Sequence, residues 1–333
     1  MDTTLVMMNT PHSQSLFQQT MRYGTPDRVV YFEEGIRQGV LKSWHDQGFP
    51  RDANLSDMFH TDLREEIRPE LDPLPYPEIW PTSQKDLPEF KRRLDPEDPK
   101  RLPIDWAKQV LRIKEQDSVR MLRVHQGFFQ AMGVNDWGRF NELIYLLSDD
   151  PDLVRRAMLI YGEFAAGLAE RILVDLEVDA AIFSEPIGGN HGSLISPKMY
   201  EEFVLVSYDP ILNVLRKYGV ETIILRTYAN MRSLIPSMLN WGINCLWACE
   251  VNIEAMDYID LRRTYGHQLR LIGGIDLDIL RSGKEIIRRE IERIVPPLIA
   301  DGGYVPLADG RVRDDVPFEN YAYYRHILEQ VTR

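Results

Sequence analysis

Short apolar runs recur along this chain, each closed by polar residues and followed by a helical pattern, and this rhythm restricts the fold more than any other feature. The clearest unit runs from Ala180 to Pro197. Ala180 to Phe183 is a short apolar run bounded by turn residues, as a strand covered on both faces requires. Ser196 before Pro197 is an N-cap with proline at the first helical position, so a helix starts there. It is expected to run to Tyr218 with a break near Pro210, because proline removes a backbone donor. A glycine-rich loop carrying Glu185, Asn190 and His191 lies between strand and helix. Strand, polar loop at its C-terminal end, then helix is one unit of an α/β fold.

The same unit repeats. Val29–Phe32, Glu65–Arg68, Val119–Val124, Thr222–Leu225, Asn244–Ala248, Leu269–Ile272 and Tyr304–Leu307 read as further strands. Helical spacing follows at Ile104–Glu115, Asn135–Leu147, Asp150 to about Leu173, Met231–Asn240, Lys284–Ala300 and from Pro317 onward. Runs without strict alternation suit strands with both faces covered, and strands alternating with helices imply parallel pairing by right-handed crossovers. These signals predict a (β/α)8 TIM barrel. A doubly wound open sheet is the alternative, but no G-x-G-x-x-G follows an early strand. Residues 1–25 read as an N-terminal arm. Prolines crowd residues 48–103, so that stretch reads as an irregular insertion after the first strand-helix unit, with one short helix at Thr82–Leu94. It holds too little apolar material for a core of its own, and the chain is expected to be a single domain over 1–333.

Bulk charge narrows the partners. A net charge of −12 argues against a nucleic-acid or anionic-membrane partner. The two cysteines, Cys245 and Cys249, are too few for a disulfide framework, and their spacing matches no usual zinc pattern. No apolar run approaches 18 residues and the first ten residues lack a signal-peptide pattern, so a soluble cytoplasmic protein is expected.

Polar residues gather just past the strands: Arg37, His125, Gln126, Glu185, His191, Arg226, Tyr228, Glu250, Asp276, Asp309 and Arg311. In a parallel barrel such residues face one mouth, where chemistry collects. Each has an ordinary alternative. His191 in its loop is equally read as exposed, and Glu250 and Asp276 as helix caps, with capping preferred for Asp276. Arg226 closes an apolar strand, and a buried cation requires a carboxylate partner or a ligand anion. Glu185 is its natural internal partner. Direct contact with a substrate is the competing reading.

At these residues the chain resembles the uroporphyrinogen decarboxylase (URO-D) superfamily over nearly its whole length. The matching segments are G-T-P-D-R-V-V-Y-F, Asp149 to Val154, F-S-E-P-I-G-G with G-S-L-I-S-P-K-M-Y-E-E-F, A-N-M-R-S-L-I-P-S-M-L-N-W-G-I-N, and L-I-G-G-I-D-L-D-I-L. The resemblance implies a (β/α)8 barrel and, for many members, a homodimer. It includes porphyrinogen decarboxylases and corrinoid-linked methyltransferases. Methyltransferase members hold zinc through a histidine and cysteines, yet Arg226 and Tyr228 stand where the first two would be, and Leu307–Gly310 lacks the late cysteine. No metal and no cofactor are therefore expected. Porphyrinogen decarboxylases carry a histidine where Gly310 falls, and their arginine-rich first loop is reduced here to Glu33, Glu34 and Arg37. A housekeeping porphyrin enzyme is thus not expected.

The leading expectation is a metal-independent decarboxylase acting on a small carboxylated substrate. Arg226 would bind the carboxylate, with Arg37 or Arg311 as second clamps, and Gln126, His191, Tyr228 and Glu250 as further substrate contacts. His125, Glu185 or Asp309 would supply the proton, most readily whichever lacks a cationic neighbour. Methyl transfer to a corrinoid protein without the zinc site is the second reading, and a non-catalytic ligand-binding barrel the third.

Overall fold

The computed structural model describes residues 13–77, 80–251 and 253–332, so the first half of the expected arm lies outside the described residues. Seven strands form one parallel sheet: β1 (Arg64–Ile67), β2 (Val119–His125), β3 (Ala180–Ser184), β4 (Thr222–Thr227), β5 (Cys245–Ala248), β6 (Arg270–Ile275) and β7 (Tyr304–Ala308). Order in the sheet follows order in the chain, and every pairing is parallel. Such a sheet twists and curls with its helices outside. Alternation then sorts the side chains. Val119, Met121, Ala180, Ile182, Ile224, Cys245, Trp247, Ile272, Val305 and Leu307 pack together on the concave side. Leu122, Ala181, Phe183, Leu225, Leu246 and Leu271 face the helix layer. Leu16, Phe17 and Met21 of the helix Ser13–Met21 join the concave cluster.

The expected first strand departs from the prediction. Val29–Phe32 carries no ladder, although Val30 and Phe32 join the concave cluster while Val29 and Tyr31 join the outer one. The reason is Asp62. Its carboxylate accepts the Tyr31 amide (2.8 Å), and its own amide donates to the Tyr31 carbonyl (2.8 Å), replacing ladder bonds by a side-chain clasp. Farther on, Ile36 makes a single parallel bridge to Val312.

Caps set the helix starts. Asp150 accepts from the Leu153 amide (3.0 Å) and Ser196 from the Met199 amide (3.2 Å), as the sequence requires. The helix after Ser196 is not broken at Pro210. It continues to Lys217, and its irregularity lies upstream, as a wide π-type turn at Tyr200–Leu205. Pro210 sits on the following turns without interrupting them.

The proline-rich stretch 48–103 supplies strand β1 at the sheet edge as well as the short helix Leu87–Arg93. One buried guanidinium pins it: Arg101, 1% exposed, donates to the carbonyls of Glu70 (3.1 Å), Arg93 (2.6 Å) and Asp95 (3.1 Å), and to that of Asp72. It also lies 4.4 Å over the Phe164 ring. One side chain thus ties together carbonyls from separate turns of this stretch. Among the described residues, no helix is long and apolar enough to cross a membrane.

Candidate active site

Above the apolar layer the concave side turns charged, and alternation explains which residues arrive there. Arg64 and Glu66 flank Glu65 on β1, Arg123 follows Val119 and Met121 on β2, and Arg226 follows Ile224 on β4. Arg226 meets Glu66, not Glu185: its two terminal nitrogens donate to the two carboxylate oxygens at 3.0 and 2.9 Å. The expected Arg226–Glu185 pairing fails because strand alternation sends Arg226 inward, while the Glu185 side chain bonds to Tyr208 in the helix layer. Arg68 adds a third bond to Glu66 at 2.9 Å. Burial by itself would raise the Glu66 carboxyl, but the bonds from Arg226 and Arg68 outweigh it and hold it at about 2. Arg64 donates to Glu34 (3.0 Å) and stacks 4.6 Å over Trp247. Cys249 lies beside this group, its thiol raised by burial.

The opposite wall is acidic. A cavity of about 110 Å³ is lined by Asn190, Glu250, Asp276, Asp278, Asp309 and Arg313, together with Val251 and Leu277. Glu250 takes a left-handed backbone (φ 52°) and is clasped by Arg37 at 2.7 Å and Arg313 at 3.1 Å. Its side chain also explains Gly310. A Cβ there would stand 2.8 Å from Glu250 Cγ, so the position where the resemblance implies histidine is filled from β5 instead. Asp276 caps the following turn by accepting the Asp278 amide (2.8 Å), which favours the capping reading. Among the described residues, the Glu250 carboxylate bonds to Arg37 and Arg313 rather than to a helix start.

Asp309 has the most chemically useful environment. It is 5% exposed, and among the described residues its carboxylate accepts one bond, from the Leu277 amide at 2.9 Å. Burial pushes it up to about 7, over the opposing effect of the Leu277 amide, and the charges of Asp276, Glu250 and Asp278 add to the rise. Among the described residues, no cation bonds to its side chain. Two neighbouring carboxyls thus differ: burial raises Asp309 toward neutral pH, and Glu250 is ion-paired.

His125 and Glu185 sit elsewhere. The β2–β3 register shifts between Arg123 and His125, and this irregularity turns His125 into the helix layer against Tyr161, Phe183 and Tyr208. Its Nδ1 accepts from the Gly127 amide (2.9 Å), so Nε2 carries the hydrogen and donates to Ser207 Oγ (3.3 Å). Burial, with the Arg123 charge, lowers His125 to about 3, which leaves it neutral and without a proton to give. Glu185 is fully buried, accepting from the Phe128 amide (3.0 Å) and the Tyr208 hydroxyl (2.5 Å). Burial pushes it up to about 7, against the lowering effect of those bonds.

The remaining expected contacts divide. Gln126 donates to Asp72 (3.0 Å) and so braces a loop. His191 is exposed at the tip of the hairpin Gly188–Gly189 and Gly192–Ser193. Tyr228 is half exposed beside Arg226 and Glu250. Arg311 is exposed, and Arg313, two residues on, reaches the acidic cavity in its place. Both cysteines are buried in the concave core, as expected. Glu66, Arg64, Arg123 and Arg313 were missed by sequence reasoning. An arginine inside an otherwise apolar strand, as in V-R-M-L-R-V, was the available signal for Arg123.

A curled parallel sheet wrapped by helices, with its charged residues past the strand ends, defines an α/β fold of the TIM-barrel-like class. Residues 128–324, more than half of the chain, match the family described as uroporphyrinogen decarboxylase (URO-D). The chain belongs to that family. A uroporphyrinogen decarboxylase of Legionella pneumophila (strain Corby) is 23% identical over 192 residues, covering 54% of this chain and 53% of that protein. Its counterpart from strain Lens is 22% identical over 200 residues, covering 59% and 53%. The match therefore spans about half the length of these curated relatives. Among solved structures, a methyltransferase from Methanosarcina mazei aligns with TM-score 0.60 at 14% identity, over 96% of this chain and 98% of that one. That likeness supports the fold.

Zinc of the kind the methyltransferase resemblance implies does not fit these residues. Arg226 offers no lone pair and is committed to Glu66, and among the described residues no three of His, Cys, Asp and Glu gather as a metal would need.

The inner and outer carboxyls carry different expectations. Because Glu185 is raised from 4.5 to about 7, the stability it contributes is complete below about 4.5 and is lost as pH rises through about 7. Glu185→Gln should flatten that loss in melting temperature while leaving turnover within about threefold. A turnover loss of a hundredfold in that variant would move Glu185 into the chemistry.

Proposed function

We propose that this protein is a lyase that decarboxylates a small carboxylated substrate, with Asp309 as proton donor. The observation that carries the reading is a buried carboxyl, raised by that burial to about 7, lining a cavity beside the ion-paired Glu250. Two carboxyls whose surroundings separate their proton affinities make an acid next to a fixed negative charge. When the carbon–carbon bond to the departing carboxylate breaks, its electron pair stays on the substrate. The substrate must therefore bring its own electron sink, such as a β-carbonyl or a heteroaromatic ring. Asp309 then gives its proton to that carbon, carbon dioxide leaves, and Asp309 regains a proton from water. Val29–Phe32, with Val30 and Phe32 turned inward, is read as the eighth position that completes a (β/α)8 barrel.

The test is incubation with a panel of small carboxylated compounds in deuterated water. Release of carbon dioxide with deuterium at the vacated carbon is the expected result. Methyl transfer from methoxylated compounds to an added corrinoid protein, with no carbon dioxide, would overturn it.

A further inference from the structure

We propose that Arg123 anchors a second, non-reacting carboxylate, so that the substrate of this mouth is a dicarboxylate whose departing end faces the acidic wall. This rests on the decarboxylase reading above. Among the described residues, the Arg123 side chain makes no hydrogen bond or ion pair, whereas Arg226, Arg68 and Arg64 are each paired to a glutamate. Its Nε is buried with no acceptor, and the side chain is only partly exposed. The Glu66 carboxylate attracts it from a distance but already takes three bonds from Arg226 and Arg68. Arg123 thus feels two guanidiniums and a saturated glutamate. A cation held in that setting is unfavourable unless an anion arrives from solution. Further buried donors of the same region, Arg64 Nη1, Arg226 Nε and Trp247 Nε1, also have no acceptor.

The two walls differ in sign. Arg64, Arg68, Arg123 and Arg226 stand against Glu34 and Glu66 on one side, and Glu250, Asp276, Asp278 and Asp309 against Arg37 and Arg313 on the other. A guanidinium tight on the reacting carboxylate would stabilise the ground state and slow loss of carbon dioxide. With the retained carboxylate on Arg123, the departing one is set among like charges, a repulsion that vanishes when it leaves as a neutral molecule.

Succinate and glutarate are suitable probes, with butyrate as the monocarboxylate control. The full chain is treated with phenylglyoxal at pH 7 and arginine adducts are mapped by peptide mass spectrometry, alongside calorimetric titration of each probe. Succinate or glutarate should slow modification of Arg123 at least fivefold and butyrate less than twofold. Arg123→Gln should lose dicarboxylate binding at least tenfold without lowering the melting temperature. Equal Arg123 labelling with and without both dicarboxylates, or unchanged binding in Arg123→Gln, would overturn the proposal. Protection by succinate or glutarate, with no carbon dioxide released from dicarboxylates that carry a β-carbonyl or a heteroaromatic ring, would sink the decarboxylase reading and leave the anchor standing. Carbon dioxide release from monocarboxylates with no dicarboxylate protection would do the reverse.

Discussion

Asp309→Asn is expected to lower turnover by roughly 10²–10⁴-fold, the usual contribution of a positioned general acid. Asparagine keeps the shape and can still accept the Leu277 amide, but it has no proton to give. The pH profile adds a signature that a packing defect would not produce. Asp309 acts in its protonated form, so turnover should be level below about 7 and fall tenfold per pH unit above it. Stability moves in step. With the folded carboxyl raised from 3.8 to about 7, its contribution is complete below about 3.8 and is lost as pH rises through about 7. Asp309→Asn removes that loss, so at pH 8 the variant should melt a few degrees above the parent while being nearly inactive. Turnover within tenfold of the parent on a confirmed substrate would remove Asp309 from the chemistry.

The second large effect concerns stability. Glu66→Ala leaves the Arg226 guanidinium, 11% exposed, without its carboxylate. Breaking a buried pair from one side costs about 3–5 kcal/mol, and a melting temperature lower by roughly 5–10 °C is expected. Substituting both partners, Glu66→Leu with Arg226→Met, should recover most of the loss, because neither charge is then stranded. The cycle is read by denaturant unfolding. If Glu66→Ala unfolds like the parent, the Arg226–Glu66 pair adds nothing to stability.

Much of the architecture was legible because periodicity and caps are local. Asp150 and Ser196 start their helices where they should, and seven of the expected strands form. What was not legible depended on contacts distant in sequence. Val29–Phe32 has the residues of a strand, but the Asp62 carboxylate displaces its ladder. Glu66 hid within a proline-rich stretch, so Arg226 was given the wrong partner. His125 looked like a rim residue because a single register irregularity in β2, invisible in composition, turns it to the other face. Asp309 stands where its place after a strand suggests, but its proton affinity comes first from burial and then from acidic neighbours, both set by segments distant in sequence. Arg313 rather than Arg311 reaches the cavity, a difference of two residues within one loop.

The wide turn at Tyr200–Leu205 has a consequence for how this segment tolerates length change. A π-type turn holds one residue more than an α-helical turn, and that surplus sets the rotation of all that follows it. Deleting a single residue within it would tighten the spiral and swing the downstream helix by about 100°. Tyr208 would then turn away, leaving the Glu185 carboxyl without its hydroxyl donor, so a one-residue gap here should be far more damaging than a substitution at the same place.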